Sequence, residues 1–172
     1  WTKSPINAPS EPTYVAIGFN KGIPVSIDGK KMGGISLIQQ LNELAGKHGV
    51  GRIDHIEDRV VGIKSREIYE APAALVLLQA HLALEALTLS RDQLRFKQRI
   101  AQEYADLVYD GLWFTGLRQD LDAYVSSSQR FVAGTVRLKL FKGSSMVVGR
   151  KAPASLYSYG LATYDKGDQF DQ

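Results

Sequence analysis

The 172-residue chain contains no cysteine, which excludes a disulfide framework, a thiolate metal site and a cysteine nucleophile. A reducing, cytoplasmic-type compartment fits such a chain, although the absence rules out no other. Histidine is scarce, with three copies, and His55, the one set among carboxylates, lacks the further acidic or histidine partners at matching spacing that a metal site needs. Long apolar runs are missing too. None reaches the ~18 residues that suggest a membrane span, and the longest, residues 71–84, contains Pro72, Gln79 and His81. No charge of one sign dominates: the formal net charge is +3, with Lys and Arg interleaved among Asp and Glu. That describes a mildly basic solvated surface, not a nucleic-acid footprint.

What is present is the composition of one globular domain. Hydrophobic residues make up 44% and charged residues 23%, near the averages of folded proteins, so disorder is not the default. A chain of this length buries about 70% of its unfolded surface. Residues 1–12, starting at Trp1 and rich in proline, read as a linker entering a domain rather than a signal peptide, and they predict further residues upstream. Residues 14–19 and 23–27 predict two strands around Asn20-Lys21-Gly22, a hairpin signature. Pro24 has no amide donor, so its position belongs at an edge or goes unpaired. Ser36 is placed to cap a helix over 37 to about 47, with Leu37, Ile38, Leu41, Leu44 and Ala45 on one face. Strands follow between Arg52 and Tyr69. Ala71-Pro72 then opens a long helix to about Leu89, apolar nearly all round over 73–84, which predicts the central buried element.

Ser90 caps a helix over 91–109, Gly111-Leu112-Trp113-Phe114 forms an aromatic corner, and 117–128 is a shorter helix. A last hairpin spans 132–141 and 146–150 around the turn Lys142-Gly143-Ser144-Ser145. Periodicity is lost over 160–172, which predicts a frayed or truncated tail and leaves 13–159 as the domain proper. The order of elements argues an α+β fold, a largely antiparallel sheet packed against long helices.

The polar chemistry concentrates in residues 46–70, where glycines, charges of both signs and a tyrosine sit on short extended segments. The glycines of 46–52 would let amides converge on an anion, with Lys47 and Arg52 adding charge. They follow a helix, however, whereas a phosphate loop places Gly-Lys-Ser/Thr at the head of one. A helix stop with a tight turn is the better reading, and no nucleotide site is assigned there. In a strand, Asp54, Ile56 and Asp58 share one face, and His55 and Glu57 the other. The cluster admits a metal or a carboxylate pair, but a solvated acidic edge suits it better. Lys64-Ser65-Arg66 admits a bound carboxylate or phosphate, or a charged face paired with Asp58, Glu67 and Glu70. Tyr69 carries a hydroxyl that donates and accepts, at a strand end where core or rim is the usual role. His81 and Glu85, at i,i+4, predict a buried, hydrogen-bonded histidine rather than a catalytic base. Tyr104, Tyr109, Trp113 and Phe114 predict a core cluster, and Ser126-Ser127-Ser128 a helix end rather than a nucleophile. The residues alone point to the glycine-rich strand region as the functional edge and name no reaction.

Residues 42–54 (Asn-Glu-Leu-Ala-Gly-Lys-His-Gly-Val-Gly-Arg-Ile-Asp), 62–66 (Gly-Ile-Lys-Ser-Arg) and 68–70 (Ile-Tyr-Glu) resemble the synthetase-domain signature of argininosuccinate synthase. Collinear matches at 104–114, 134–143, 148–153 and 155–157 extend the resemblance over nearly the whole chain, as the C-terminal synthetase and multimerisation domain. It implies a ligase of arginine biosynthesis that joins citrulline to aspartate using ATP, with release of AMP and pyrophosphate. The ureido oxygen is adenylated first, and the aspartate amine then displaces AMP. Family members hold ATP, with the magnesium expected beside it, in an N-terminal domain whose Ser-Gly-Gly-type loop has no counterpart here. This chain alone is therefore expected to be inactive, with no catalytic, cofactor-binding or metal residue of its own.

Two family positions carry over as citrulline contacts: Glu57, the glutamate after Asp-x-Ile, and Tyr69 of Ile-Tyr-Glu. A carboxylate can hold the ammonium of citrulline or accept from its ureido N–H groups, and a phenol can donate to either kind of oxygen. The resemblance also implies a cytoplasmic enzyme (plastid in a plant), with no membrane or nucleic-acid partner. It further implies a homotetramer formed through this domain with a C-terminal arm, in which helix 73–89 is partly interfacial. Two other readings stand beside it. A non-catalytic assembly module would keep the fold and subunit contacts alone, as the missing ATP loop suggests. Nucleic-acid binding rests only on the basic balance, against interspersed charge and no basic stripe with stacking aromatics.

Overall fold

The computed structural model describes residues 1–162, so most of the tail expected at 160–172 lies outside the described residues. Strands β1 (Thr13–Asn20), β2 (Ile23–Ile27) and β3 (Lys30–Lys31) come first, then helix α1 (Gly34–Lys47). A separate ribbon of β4 (Arg52–Asp58) and β5 (Lys64–Glu70) leads into helices α2 (Pro72–Thr88), α3 (Arg91–Tyr109) and α4 (Gly116–Ser128). Strands β6 (Gly134–Phe141) and β7 (Ser144–Lys151) and one helical turn, α5 (Tyr159–Ala162), complete the order. The main sheet runs β3-β2-β1-β6-β7 and is antiparallel throughout. The architecture is the expected α+β one.

Alternation builds that sheet. Val15, Ile17 and Phe19 of β1 and Val136, Leu138 and Leu140 of β6 point to one face and are buried, with Val15 opposite Leu138 and Ile17 opposite Val136. Helices α1 and α2 cover this face through Leu37, Leu41 and Ala45 and through Ala73, Val76, Ala80 and Leu84. On the other face the Arg137 guanidinium lies 4.7 Å from the Tyr14 ring centre. Pro24 falls beside a register shift at Gly18/Phe19 and outside the two residues that β3 pairs with, as its missing amide requires.

Several expectations need correction. The last hairpin turns on two residues, not four: Lys142 and Gly143 have φ of 44° and 85°, a geometry that suits the twist of paired strands. Ser144 and Ser145 accordingly pair with Phe141 and Leu140. Helix α1 begins after Gly33 rather than Ser36, with the Leu37 N–H donating to the Gly33 carbonyl at 3.0 Å. Helix α2 is not buried all round. Its inward stripe is covered, while Leu78 and Leu82 face solvent, because the sheet and α1 leave one side of it open.

Ser90 does cap α3, in a full capping box with Gln93. Helices α3 and α4 then fold back on each other. Phe96 meets Tyr124 edge-on at 5.1 Å, and Tyr104 donates to Asp122 Oδ1 at 2.8 Å. The aromatic cluster is therefore only half a core. Tyr104 packs on Trp113, which Arg118 also covers, but Tyr109 is half exposed and Phe114 is 89% exposed, because this end of the hairpin stands off the sheet.

One buried polar network ties the hairpin to the body. Glu85 is 1% exposed. Lys97 Nζ of α3 lies 2.9 Å from its Oε2, and Gln129 Nε2 donates to its Oε1 at 2.7 Å. Because that amide nitrogen donates to the carboxylate, Gln129 Oε1 is left to accept from His81 Nε2 at 2.9 Å. His81 is thus hydrogen-bonded as expected, although it is only half-buried.

Candidate functional site

The ribbon bearing Glu57 and Tyr69 leaves the body at a tightly packed base. Gly49 and Gly51 have φ of 72° and 122°, and a Cβ on either would press against the backbone of Lys3 or Pro72. The Ala71 N–H donates to the Gly51 carbonyl at 2.8 Å. Arg52 adds bonds to Thr2 Oγ1 at 2.7 Å and to the Lys3 carbonyl at 2.6 Å. These glycines serve chain crossing rather than anion capture. The 46–52 loop does not fit a triphosphate, and no step through ATP is assigned to it.

Past the base, strand alternation sorts the side chains onto two unlike faces. On one, Arg66 grips Asp54 with two bonds, Nε to Oδ1 at 2.9 Å and Nη2 to Oδ2 at 2.5 Å. Lys64 Nζ meets Asp58 at 2.6 Å. The Arg66 guanidinium holds the Asp54 carboxyl below its usual range. Of the partners expected for 64–66, Asp58 is found; Asp54 stands in place of Glu67, which points to the opposite face from Arg66, and of Glu70, which the Trp1 amino group holds at 2.7 Å.

The second face gathers Glu57, Tyr69, His55, Arg59 and Glu67. Tyr69 Oη donates to Glu57 Oε2 at 3.3 Å. His55 Nε2 lies 3.6 Å from the same oxygen, and its ring is 6.3 Å from that of Tyr69. Arg59 Nη1 reaches Glu57 Oε1 at 3.7 Å and Glu67 Oε1 at 3.5 Å. Ser65 stands opposite Glu57 in register, and its hydroxyl is buried without a hydrogen-bond partner. Desolvation first, and then the Glu57 charge, push the Tyr69 phenol above its ordinary value. The Glu57 side chain is 18% exposed against 76% for Asp58 on the other face.

Two sequence-predicted residues are thus brought into contact, on a face that holds carboxylates, a phenol and a guanidinium within one small patch. Such a set suits a small molecule carrying both charge signs. Arg59 joins this face although it is not among the residues singled out from the sequence. The signal was available, since the period of two that pairs His55 with Glu57 continues to Arg59 just past the end of β4. Among the described residues no group of acidic or histidine side chains is placed to hold a metal, and no helix is long and apolar enough to cross a membrane.

Residues 1–172 match the family described as arginosuccinate synthase C-terminal domain. The chain belongs to that family. Proteins named argininosuccinate synthase from Dehalococcoides mccartyi and Rubrobacter xylanophilus are 63% and 61% identical over 171 residues. One from Trichodesmium erythraeum is 58% identical over 170 residues. Each alignment covers 99% of this chain and 42% of the relative, so the chain spans less than half the length of these argininosuccinate synthases.

Proposed function

We propose that this chain forms the citrulline-binding part of an argininosuccinate synthase, the cytoplasmic ligase that condenses citrulline with aspartate at the expense of ATP. The observation that carries the reading is the contact of Tyr69 with Glu57 on the half-shielded face of the ribbon. Glu57 accepts from the ammonium or ureido N–H groups, Tyr69 donates to an oxygen of the ligand, and Arg59 balances the carboxylates. The nucleotide and its magnesium are held outside this chain, which supplies binding and orientation and is inactive alone. Subunit contacts are the second part of the proposal, with a homotetramer as the assembly. Leu78 and Leu82, one turn apart on α2 and exposed, support a contact with a second copy. The test is citrulline- and aspartate-dependent AMP release by the full-length natural protein, as wild type and as Glu57→Gln. Release by the first and a severe loss of it at low citrulline in the second support the reading. A folded wild type without release would favour an assembly module instead.

A further inference from the structure

The ribbon β4–β5 is held at its base by Arg52 and the residue 51–71 crossing, yet Glu57 and Arg59 lie at its far end. Among the described residues, the hydrogen bond that reaches this end from outside comes from α3: Tyr109 Oη donates to the carbonyl of Asp58 at 3.1 Å. That carbonyl lies between the two residues that matter. Glu57 precedes it on the last pairs of β4, and Arg59 follows it where the strand ends and the turn closes through Arg59 N–H to the Ile63 carbonyl at 2.7 Å. Tyr109 is the last residue of α3, and α3 is itself fixed to α2 by Lys97 on Glu85. The phenol therefore transmits the position of a helix to the end of an otherwise free-standing two-stranded ribbon, a structure that is marginal in isolation.

We infer that Tyr109 is a positioning residue for the Glu57–Arg59–Tyr69 face, setting its affinity for citrulline without touching the ligand; the inference rests on the citrulline reading above. Tyr109→Phe in the full-length enzyme removes the hydroxyl alone. Loss of one neutral hydrogen bond is expected to raise the KM for citrulline about three- to tenfold, with kcat and the KM values for ATP and aspartate unchanged. In the double variant with Glu57→Gln the two effects should be less than additive, since one residue acts through the other. If Glu57→Gln raises the citrulline KM and Tyr109→Phe does not, this inference fails and the site reading stands. If Tyr109→Phe shifts all three KM values together, the residue is merely structural and the inference also fails. If Glu57→Gln itself leaves the citrulline KM unmoved, both fall.

Discussion

Strands β1, β6 and β7 of the main sheet, with eight residues each, and the two ribbon strands, with seven each, are close in length but dispose of their side chains in opposite ways. In β6 every second residue from Val136 is buried under α1 and α2, and the alternation serves a core. In β4 and β5 the same alternation buries almost nothing, and Ile56 and Ile68 are both more than 60% exposed. The period of two there separates a face of closed ion pairs from a face where Glu57, Tyr69 and Arg59 share longer, looser contacts. A sheet that must fold uses apolar residues and short hydrogen bonds. The ribbon keeps polar groups exposed and loosely partnered, as the proposed citrulline role requires. Substitutions in the sheet and in the α1 and α2 faces that cover it should therefore change stability and leave substrate affinity alone, and those on the Glu57–Tyr69 face of the ribbon should do the reverse.

The largest effect is expected in the body. Glu85→Ala strands Lys97 and Gln129 in a buried setting, and breaking such a pair should cost about 3–5 kcal/mol of stability, read by denaturant unfolding. Replacing both partners, Glu85→Leu with Lys97→Met, should recover part of that loss, the remainder belonging to the Gln129 amide that still lacks its acceptor. On the ribbon, Glu57→Gln should raise the citrulline KM about tenfold to a hundredfold through loss of charge-assisted bonds, with the melting temperature little changed. If the two classes of variant moved both properties together, the division between folding and binding regions would be lost.

A smaller effect concerns pH. His48 is buried, bonded to Thr13 Oγ1 at 2.7 Å, and held below its ordinary value of 6.5 by burial first and by the Lys47 charge second. Its folded pKa is depressed, so the unfolded chain binds more protons. The contribution of His48 is complete above pH 6.5 and is lost as pH falls through the lowered folded value. The slope is at most about 1.4 kcal/mol per pH unit. Melting curves between pH 4 and 8, for wild type and His48→Asn, should show a flatter dependence in the variant. The smallest effect is predicted for Asp54→Asn, whose partner Arg66 is exposed with it. No measurable change is expected in either stability or citrulline KM.

Much of this was legible before folding. The strand alternation of Val136, Leu138 and Leu140, the helix cap at Ser90 and the parity that puts Glu57 opposite in sense to Asp54 are local patterns, and each appears as read. Distance in sequence hid the rest. Gln129 meets Glu85 from 44 residues away, and Tyr109 meets Asp58 from 51, with no local pattern to announce either. The exposure of Phe114 and of Leu78 was hidden for a related reason, because an apolar residue carries no mark of whether another element arrives to cover it. Citrulline itself was never readable from residue chemistry. It came with the family resemblance, while the residues alone supplied only a polar ribbon edge.

The most direct test compares the two faces of that ribbon. In the full-length natural enzyme, the citrulline KM is measured for Glu57→Gln and Asp54→Asn, two changes of equal size on one strand. A rise of at least tenfold in the first and none in the second is the predicted result. Equal effects from the two, or a rise confined to Asp54→Asn, would contradict the assignment of the Glu57–Tyr69 face as the citrulline site.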